Sequence, residues 1–543
     1  MNASPQTVAQ RFRQTAQTHA LLPFVQVLRR TAAAYGIDPV VLDYQTVQRD
    51  VEALSRSYAD AGYGIGQRVG LLVENRPAFF VHWFALNALG ISVVPINPDL
   101  RSAELEYLIG HSELVAVVAV EPRHSGLRQA AAGAARDVVI FSPHEPPPAV
   151  PHSGVAGTPN VHTECALLYT SGTTGRPKGC VLTNEYFLQA GIWYATIGGL
   201  IALTEGSERM LTPLPLFHMN AMAYSTMAMV QTGGCLIVLD RFHPRSWWED
   251  VREASATIVH YLGVMPPMLM AAEASDDDRS HGVRFGFGAG VDRGLHAPFE
   301  ERFGFPLVEA WAMTETGAGG VVVASREPRH VGSSCFGVPE PGLAVRVVLA
   351  DGTDAPLETP GELLVRAAGA DPRRGFFRCY LKDDTATDAA WQGGWFHTGD
   401  VVRQGADGSL YFVDRKKNVI RRSGENISAV EVESVLMRHP AVRQVAVAAA
   451  PDAVRGDEVF ACVVPHAPLK SPDASAALAG EIVQWCLERL AYYKAPGYVA
   501  FVDAVPLTTT QKIQRGELKA LVDRALSGAM CVDTRALKKR VAA

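Results

Sequence analysis

The stretch Tyr169-Thr170-Ser171-Gly172-Thr173-Thr174-Gly175-Arg176-Pro177-Lys178-Gly179 gathers glycines, hydroxyls and cationic side chains into one short segment. It follows an apolar run beginning at Leu167 and precedes the helix-like segment Asn184 to Ala190. Glycine lets a backbone approach an anion closely, hydroxyls donate hydrogen bonds, and Lys178 adds a full positive charge, so the segment predicts a polyphosphate-binding loop. It is not a Walker A loop. Counted from Gly172, Lys178 stands where the Walker lysine stands, but Pro177 precedes it and Gly179 replaces the expected Ser/Thr.

On the N-terminal side of this loop, Val47, Val51, Leu54, Tyr58 and Ala61 recur at helical spacing, and the apolar strand Val69 to Val73 follows. Helical Pro77 to Leu89, strand-like Ile91 to Ile96, helical Ala103 to Ile109 and the run Leu114 to Val120 repeat the alternation. That pattern predicts a mostly parallel sheet covered by helices. Residues 143 to 160 are rich in Pro, Gly and Ser and read as a loop between subdomains. On the C-terminal side, the short runs Leu236 to Leu239, Thr257 to Leu262, Arg284 to Phe287 and Leu307 to Trp311 alternate with helical Trp247 to Ala254 and Leu295 to Phe303. From about residue 330 the runs Ala344 to Leu349, Gly361 to Val365 and Leu410 to Val413 predict a small β-rich subdomain. The polar segment Asp414 to Asn426 then leads into helix-like Val430 to Met437 and strand-like Val445 to Ala449 and Val459 to Val464. The expected fold is α/β: a domain of residues 1–414, with two αβ layered subdomains and the β-rich one, then a small mobile α+β domain of residues 415–543.

With 543 residues, 48% of them hydrophobic, the chain can bury several cores. Its 50 basic and 56 acidic residues leave a formal charge of -6, which offers no basic excess for a phosphodiester backbone, so nucleic acid is not an expected partner. The eight cysteines form no Cys-x-x-Cys pair and are expected to be reduced thiols. Leu21 to Val27 is a short apolar patch broken by Pro23, not a secretory leader, and no run of about 18 apolar residues predicts a membrane span, so a cytosolic location is expected. Monomer and homodimer stay equally open.

Four ordered blocks resemble the adenylate-forming superfamily of acyl-CoA synthetases, adenylation domains and luciferases. They are the loop above, Trp311-Ala312-Met313-Thr314-Glu315, Gly394-Trp395-Phe396-His397-Thr398-Gly399-Asp400, and Asp414-Arg415-Lys416-Lys417 running on to Gly424-Glu425-Asn426-Ile427. A fifth, Pro506 to Ile513, resembles the family's catalytic-lysine loop with Lys512 as the lysine. The resemblance implies an ATP-dependent acid–CoA ligase that forms an acyl-adenylate and passes the acyl group to coenzyme A. It implies that Thr170 to Gly175 and Lys178 meet the phosphates, that Thr314 touches the α-phosphate, and that Glu315 helps hold Mg²⁺, a hard cation suited to carboxylate and phosphate oxygens. Trp311 would stack on adenine near the Gly288-Ala289-Gly290 turn. Asp400, closing a His-Thr-Gly-Asp turn, would take the ribose hydroxyls with Arg415 as a second contact. Lys417 stands at the family's hinge, and Gly424 would approach the pantetheine tunnel. Two positions depart from the pattern: Gln511 stands where the family usually has glycine, and Asn184 where many relatives have histidine.

By the same resemblance, His218, Met219, Asn220 and Met222, Gly263 to Met265, and Ala312, Met313 and Gly317 would line the acyl pocket, with His218 as a gate. Methionine and small residues suit an aliphatic or small aryl acid. The block from Phe412 to Glu433 looks most like the carnitine/crotonobetaine–CoA ligase branch, so a short polar or betaine-type acid is the leading expectation. Medium-chain fatty and aryl acids are the alternatives. Two other function classes share the motifs: an adenylating enzyme that loads a carrier protein, and a luciferase-type oxygenase.

Overall fold

The computed structural model describes residues 6–170, 176–349, 351–415, 420–423, 425–427, 429–469, 471–506 and 515–538. Ser171 to Gly175, Lys417, Gly424, Gln511 and Lys512 lie outside the described residues.

Two large sheets build the first part of the chain. One has eight strands in the order Val322–Val323, Leu307–Trp311, Phe285–Ala289, Ile258–Leu262, Arg209–Thr212, Cys235–Val238, Pro23–Val27 and Val40–Asp43. The other has seven, ordered Cys379–Tyr380, Lys178–Thr183, Glu164–Thr170, Ser92–Pro95, Arg68–Leu72, Ala116–Ala119 and Val139–Phe141. Central strands such as Ser92–Pro95, Ala116–Ala119 and Cys235–Val238 are buried at every residue. Parallel sheets covered on both faces demand that pattern, and their uninterrupted Val/Ile/Leu runs are what made the alternation readable.

Helices Val8–Thr18, Pro77–Ala88 and Asn184–Thr196 share one core with both sheets. Pro77–Ala88 is apolar on nearly every side, and Phe79, Phe80, Trp83 and Phe84 are fully buried, each contributing about 1.5–3 kcal/mol of burial free energy. Buried polar groups here are bonded. Asn184 Oδ1 accepts from Val8 N at 3.1 Å and Asn87 Nδ2 at 2.8 Å, while Asn184 Nδ2 donates to Asn160 O at 3.0 Å. The asparagine that departs from the family pattern is therefore a knot fastening the N-terminal helix.

Two sequence expectations need correction. The helix expected at Asn184 is present as Asn184–Thr196, but the glycine-rich segment leads first into an unexpected strand, Lys178–Thr183, antiparallel to Glu164–Thr170 with Thr170 paired to Lys178. Asp400 does not close a turn either. It lies inside the strand Phe396–Gln404, which pairs on both sides in a five-stranded antiparallel sheet ordered Cys335–Gly337, Leu410–Arg415, Phe396–Gln404, Gly361–Ala367 and Leu343–Val348. Gly399, at φ +69, lies between His397 and Val401, where the pairing with Gly361–Ala367 shifts register because their partners are Leu364 and Glu362, so the glycine that suggested a turn marks a bulge.

Arg415 ends that sheet and Ile420 opens the last one, in which Gly456–Pro465 is flanked by Val442–Asp452, Ile420–Arg422 and Tyr498–Phe501. Helices Ala429–Leu436 and Pro472–Leu487 pack on one face of it. No helix among the described residues is long and apolar enough to cross a membrane.

Candidate active site

Glu315 follows the strand Leu307–Trp311 at the edge between the two large sheets. The residue is 6% exposed. Tyr380 donates its hydroxyl to Glu315 Oε1 at 2.9 Å, and Thr170 Oγ1 lies 3.5 Å from the same oxygen. The backbone is fixed as well: Phe377 N donates to Glu315 O at 2.8 Å, and Tyr186 donates its hydroxyl to Thr314 O at 2.9 Å. Lys178 Nζ sits 4.7 Å from the Tyr380 ring centroid and 3.7 Å from Asp383 Oδ2. One carboxylate and one ammonium thus lie on either side of a single buried tyrosine, beside the strand end that enters the glycine-rich loop. A carboxylate held by neutral hydroxyls keeps its full charge for a hard cation, so the donor chemistry fits Mg²⁺ shared with phosphate oxygens. No group of three or more His, Cys, Asp or Glu among the described residues could cage a metal alone.

The Trp311 indole donates from Nε1 to Asp400 Oδ2 at 2.9 Å, joining two blocks 89 residues apart. Trp311 is 7% exposed. The Gly288-Ala289-Gly290 turn lies at the end of Phe285–Ala289, with Gly290 at φ +82. Glu309 clamps it, accepting from Gly290 N and Val291 N at 2.9 Å each and from the Tyr261 hydroxyl at 3.2 Å. Burial pushes the Glu309 carboxyl above its ordinary pKa, against those two amides. A Cβ on Gly263 would stand 2.0 Å from Gly290 O, so the turn and the pocket segment cross backbone to backbone.

Among the segments expected to line the acyl pocket, Asn220 opens the π-helix Asn220–Ser225 and its Oδ1 meets His260 Nδ1 at 3.0 Å. Ser225 Oγ lies 2.9 Å from the same nitrogen, and the Tyr194 hydroxyl 3.1 Å from Nε2. Burial lowers the His260 pKa to about 3, so the ring is neutral. Phe287, Trp193 and Tyr224 surround this network, with Trp193 and Tyr224 centroids 5.4 Å apart. Met222 is fully buried in the same core, while Met219, Ala312 and Met313 are partly buried against it. Gly317 closes the wall: a Cβ there would stand 2.3 Å from the Tyr186 ring. Met265 is separated from this group. It packs with Trp247, Val259, Tyr261 and Leu269 in a different apolar cluster of the eight-stranded sheet.

The C-terminal sheet meets the site through charges. His218 Nε2 stands 3.4 Å from Glu425 Oε1. Burial opposes ionisation of Glu425, but His218 and Lys494 outweigh it and hold the carboxyl below its ordinary range. Lys494 Nζ donates to Glu104 Oε1 at 2.7 Å and Glu431 Oε1 at 2.9 Å, and Asn97 Nδ2 donates to the Tyr493 hydroxyl at 2.9 Å. Burial works against the Lys494 ammonium, and the two carboxylates more than offset it, raising its pKa.

Sequence reasoning missed Tyr380, Tyr186, Glu309 and Lys494. Tyr380 carried a faint signal, an aromatic in the Phe376-Phe377 run shortly before the Gly394 block; the others lie in stretches that read as ordinary helix, strand or loop.

Among known proteins, a Salmonella enteritidis crotonobetaine/carnitine–CoA ligase is 28% identical over 495 residues, covering 88% of this chain and 92% of its own. The o-succinylbenzoate CoA synthetase of Bacillus subtilis shares the fold with a TM-score of 0.78 at 23% identity, over 94% of this chain and 98% of its own. A malonyl-CoA ligase solved with methylmalonyl-CoA and AMP bound aligns with a TM-score of 0.72 at 26% identity, over 89% of this chain and 96% of its own. Residues 431–512 match the AMP-binding enzyme C-terminal domain. Residues 25–381, more than half of the chain, match the AMP-binding enzyme family, and the chain belongs to that family.

Proposed function

We propose that this AMP-forming acid–CoA ligase activates a short polar or betaine-type acid and works in the cytoplasm. The arrangement that carries the assignment to the site is the Glu315 carboxylate and Lys178 ammonium flanking Tyr380, next to the Trp311–Asp400 pair. The acid class is supported by the half-buried Trp193 ring, which packs on the buried Tyr224 and Phe287 rings beside the neutral Asn220–His260–Ser225 network. Aromatic faces attract a quaternary ammonium, and a similar ligase acts on crotonobetaine and carnitine by its name. The same Trp193 ring favours aryl acids as the second reading.

In the first half-reaction the substrate carboxylate attacks the α-phosphorus of ATP in line, and pyrophosphate leaves. Glu315 would hold Mg²⁺, which when bound offsets charge on the phosphates. Thr170 and Thr314 orient phosphate oxygens, and Lys178 and Lys512 offset charge on the phosphates and departing pyrophosphate. Asp400 and the Glu309-clamped turn position ribose and adenine. The product is an acyl-adenylate, whose leaving group is a stable phosphate.

In the second half-reaction the small domain turns about Lys417, so that Lys512 withdraws and the Gly424 segment meets the pocket. The Glu425–His218 contact and the buried Lys494 cluster support reading this structure as the thioester-forming orientation. CoA then displaces AMP. Purified protein with MgATP, CoA and a panel of carnitine, crotonobetaine, medium-chain fatty acids and benzoates tests the assignment. AMP, pyrophosphate and thioester are expected to rise together with a betaine-type acid. An acyl-adenylate that CoA never accepts would favour the carrier-loading or oxygenase reading instead.

A further inference from the structure

We infer that Tyr380 is a positioning residue for adenylation, its hydroxyl setting the Glu315 carboxylate and its ring face setting the Lys178 ammonium. The inference rests on the reading of Glu315 as a metal-holding carboxylate and of Lys178 as a phosphate-binding cation.

Three observations carry it. The Tyr380 hydroxyl donates to Glu315 Oε1 at 2.9 Å, shorter than the 3.5 Å contact from Thr170 to the same oxygen. Lys178 Nζ stands 4.7 Å from the centroid of the Tyr380 ring, within cation–π range. The tyrosine itself is locked. It lies on the two-residue strand Cys379–Tyr380, paired with Val181 and Cys180 of the strand that begins at Lys178, and its N–H donates to Thr387 Oγ1 at 3.0 Å. The ring packs edge-on against Phe377 at 4.8 Å, and Phe377 N holds the Glu315 carbonyl.

The chemistry suits the task. A phenol keeps its proton around neutral pH, so its hydroxyl donates. A neutral donor fixes one carboxylate oxygen without cancelling the carboxylate charge, which an arginine or lysine in its place would do. The quadrupole of the ring attracts the ammonium without pairing it to a fixed anion, leaving it free to meet phosphate. Among the described residues Lys178 also meets Asp383, whose side chain is 40% exposed and whose Oδ2 lies 3.7 Å from the ammonium, a contact that solvent screens.

The test compares Tyr380→Phe, which removes only the hydroxyl, with Tyr380→Leu, which removes the ring too, and with Glu315→Gln. The readouts are Mn²⁺ binding to the enzyme–ATP complex by electron paramagnetic resonance, AMP binding without metal, and KM for ATP. Tyr380→Phe is expected to weaken Mn²⁺ binding about tenfold, as loss of one hydrogen bond to a charged group does, with metal-free AMP binding unchanged. Tyr380→Leu is expected to add a several-fold rise in KM for ATP through Lys178. Retained Mn²⁺ affinity in Tyr380→Phe, with affinity lost in Glu315→Gln, overturns the role of Tyr380 alone. Retained affinity in both variants overturns the metal reading of Glu315 and the inference with it. Weakened metal-free AMP binding in Tyr380→Phe, in step with Mn²⁺, would show a structural tyrosine and also overturn it.

Discussion

Two buried carboxylate clusters serve this molecule in opposite ways. Glu315 is held by hydroxyls, from Tyr380 and Thr170, within the two large sheets. Glu104 and Glu431 are held by an ammonium, Lys494, and Glu104 lies 390 residues from that lysine across the contact with the C-terminal sheet. A hydroxyl orients a carboxylate and leaves its charge to act on something else. An ammonium uses the charge up, so on the proposed mechanism the second cluster serves as a latch and the first as a binding group. On the proposed mechanism the latch also carries a cost in reverse: a turn of the small domain would require buried charges to regain water before another orientation forms.

The largest expected effect separates the two. Glu315→Gln keeps shape and hydrogen bonding but loses the charge, and is expected to slow acyl-adenylate formation about a hundredfold or more, measured by pyrophosphate release. Lys512→Ala is expected to slow that same half-reaction about a hundredfold while leaving thioester formation from supplied acyl-adenylate mostly intact. If the Glu315→Gln loss falls equally on both half-reactions, the division of labour between the clusters fails; if the Lys512→Ala loss does, the withdrawal of Lys512 before thioester formation fails.

Lys494→Ala addresses the latch. Removing one partner of a buried charge cluster leaves the carboxylates uncompensated, and the small domain relieves this by swinging away. Thioester formation is expected to slow about tenfold in a rapid-quench assay, with adenylation unchanged. The pH dependence sharpens the point. Because the folded pKa of Lys494 is raised, its contribution is fully present below the ordinary lysine value and is lost only as pH rises through the raised one. The Tm difference between parent and Lys494→Ala is therefore expected to stay flat from about pH 7.5 to about 9.5.

A smaller effect belongs to the nucleotide side. Glu309→Gln weakens the clamp on Gly290 N and Val291 N and is expected to lower AMP affinity by several-fold in a calorimetric titration, with the CoA half-reaction unaffected. An unchanged affinity would make Glu309 a core residue only.

The sequence made the parallel sheets legible because strands buried on both faces leave uninterrupted apolar runs, as at Ala116–Ala119 and Cys235–Val238. It misled at Asp400, where a glycine at positive φ marks a strand bulge as readily as a turn, and only pairing on both edges distinguishes them. Glu315, Trp311 and Lys178 stood out because each lies in a compact block. Tyr380 and Lys494 did not, since their roles come from contacts made by remote segments: the segment around Tyr380 leaves the β-rich sheet to rejoin the seven-stranded one. A polar partner supplied across such a crossover leaves no local spacing to read. Asn184 shows the same limit, for its burial against the N-terminal helix depends on Val8 and Asn87.

The most direct measurement follows both half-reactions in single turnover for the parent, Glu315→Gln and Lys494→Ala, using the acid that the substrate panel identifies. The account predicts that Glu315→Gln loses acyl-adenylate formation and still converts supplied acyl-adenylate to thioester, while Lys494→Ala forms acyl-adenylate at the parent rate and is slow to pass it to CoA. Equal losses in both half-reactions for either variant would contradict it.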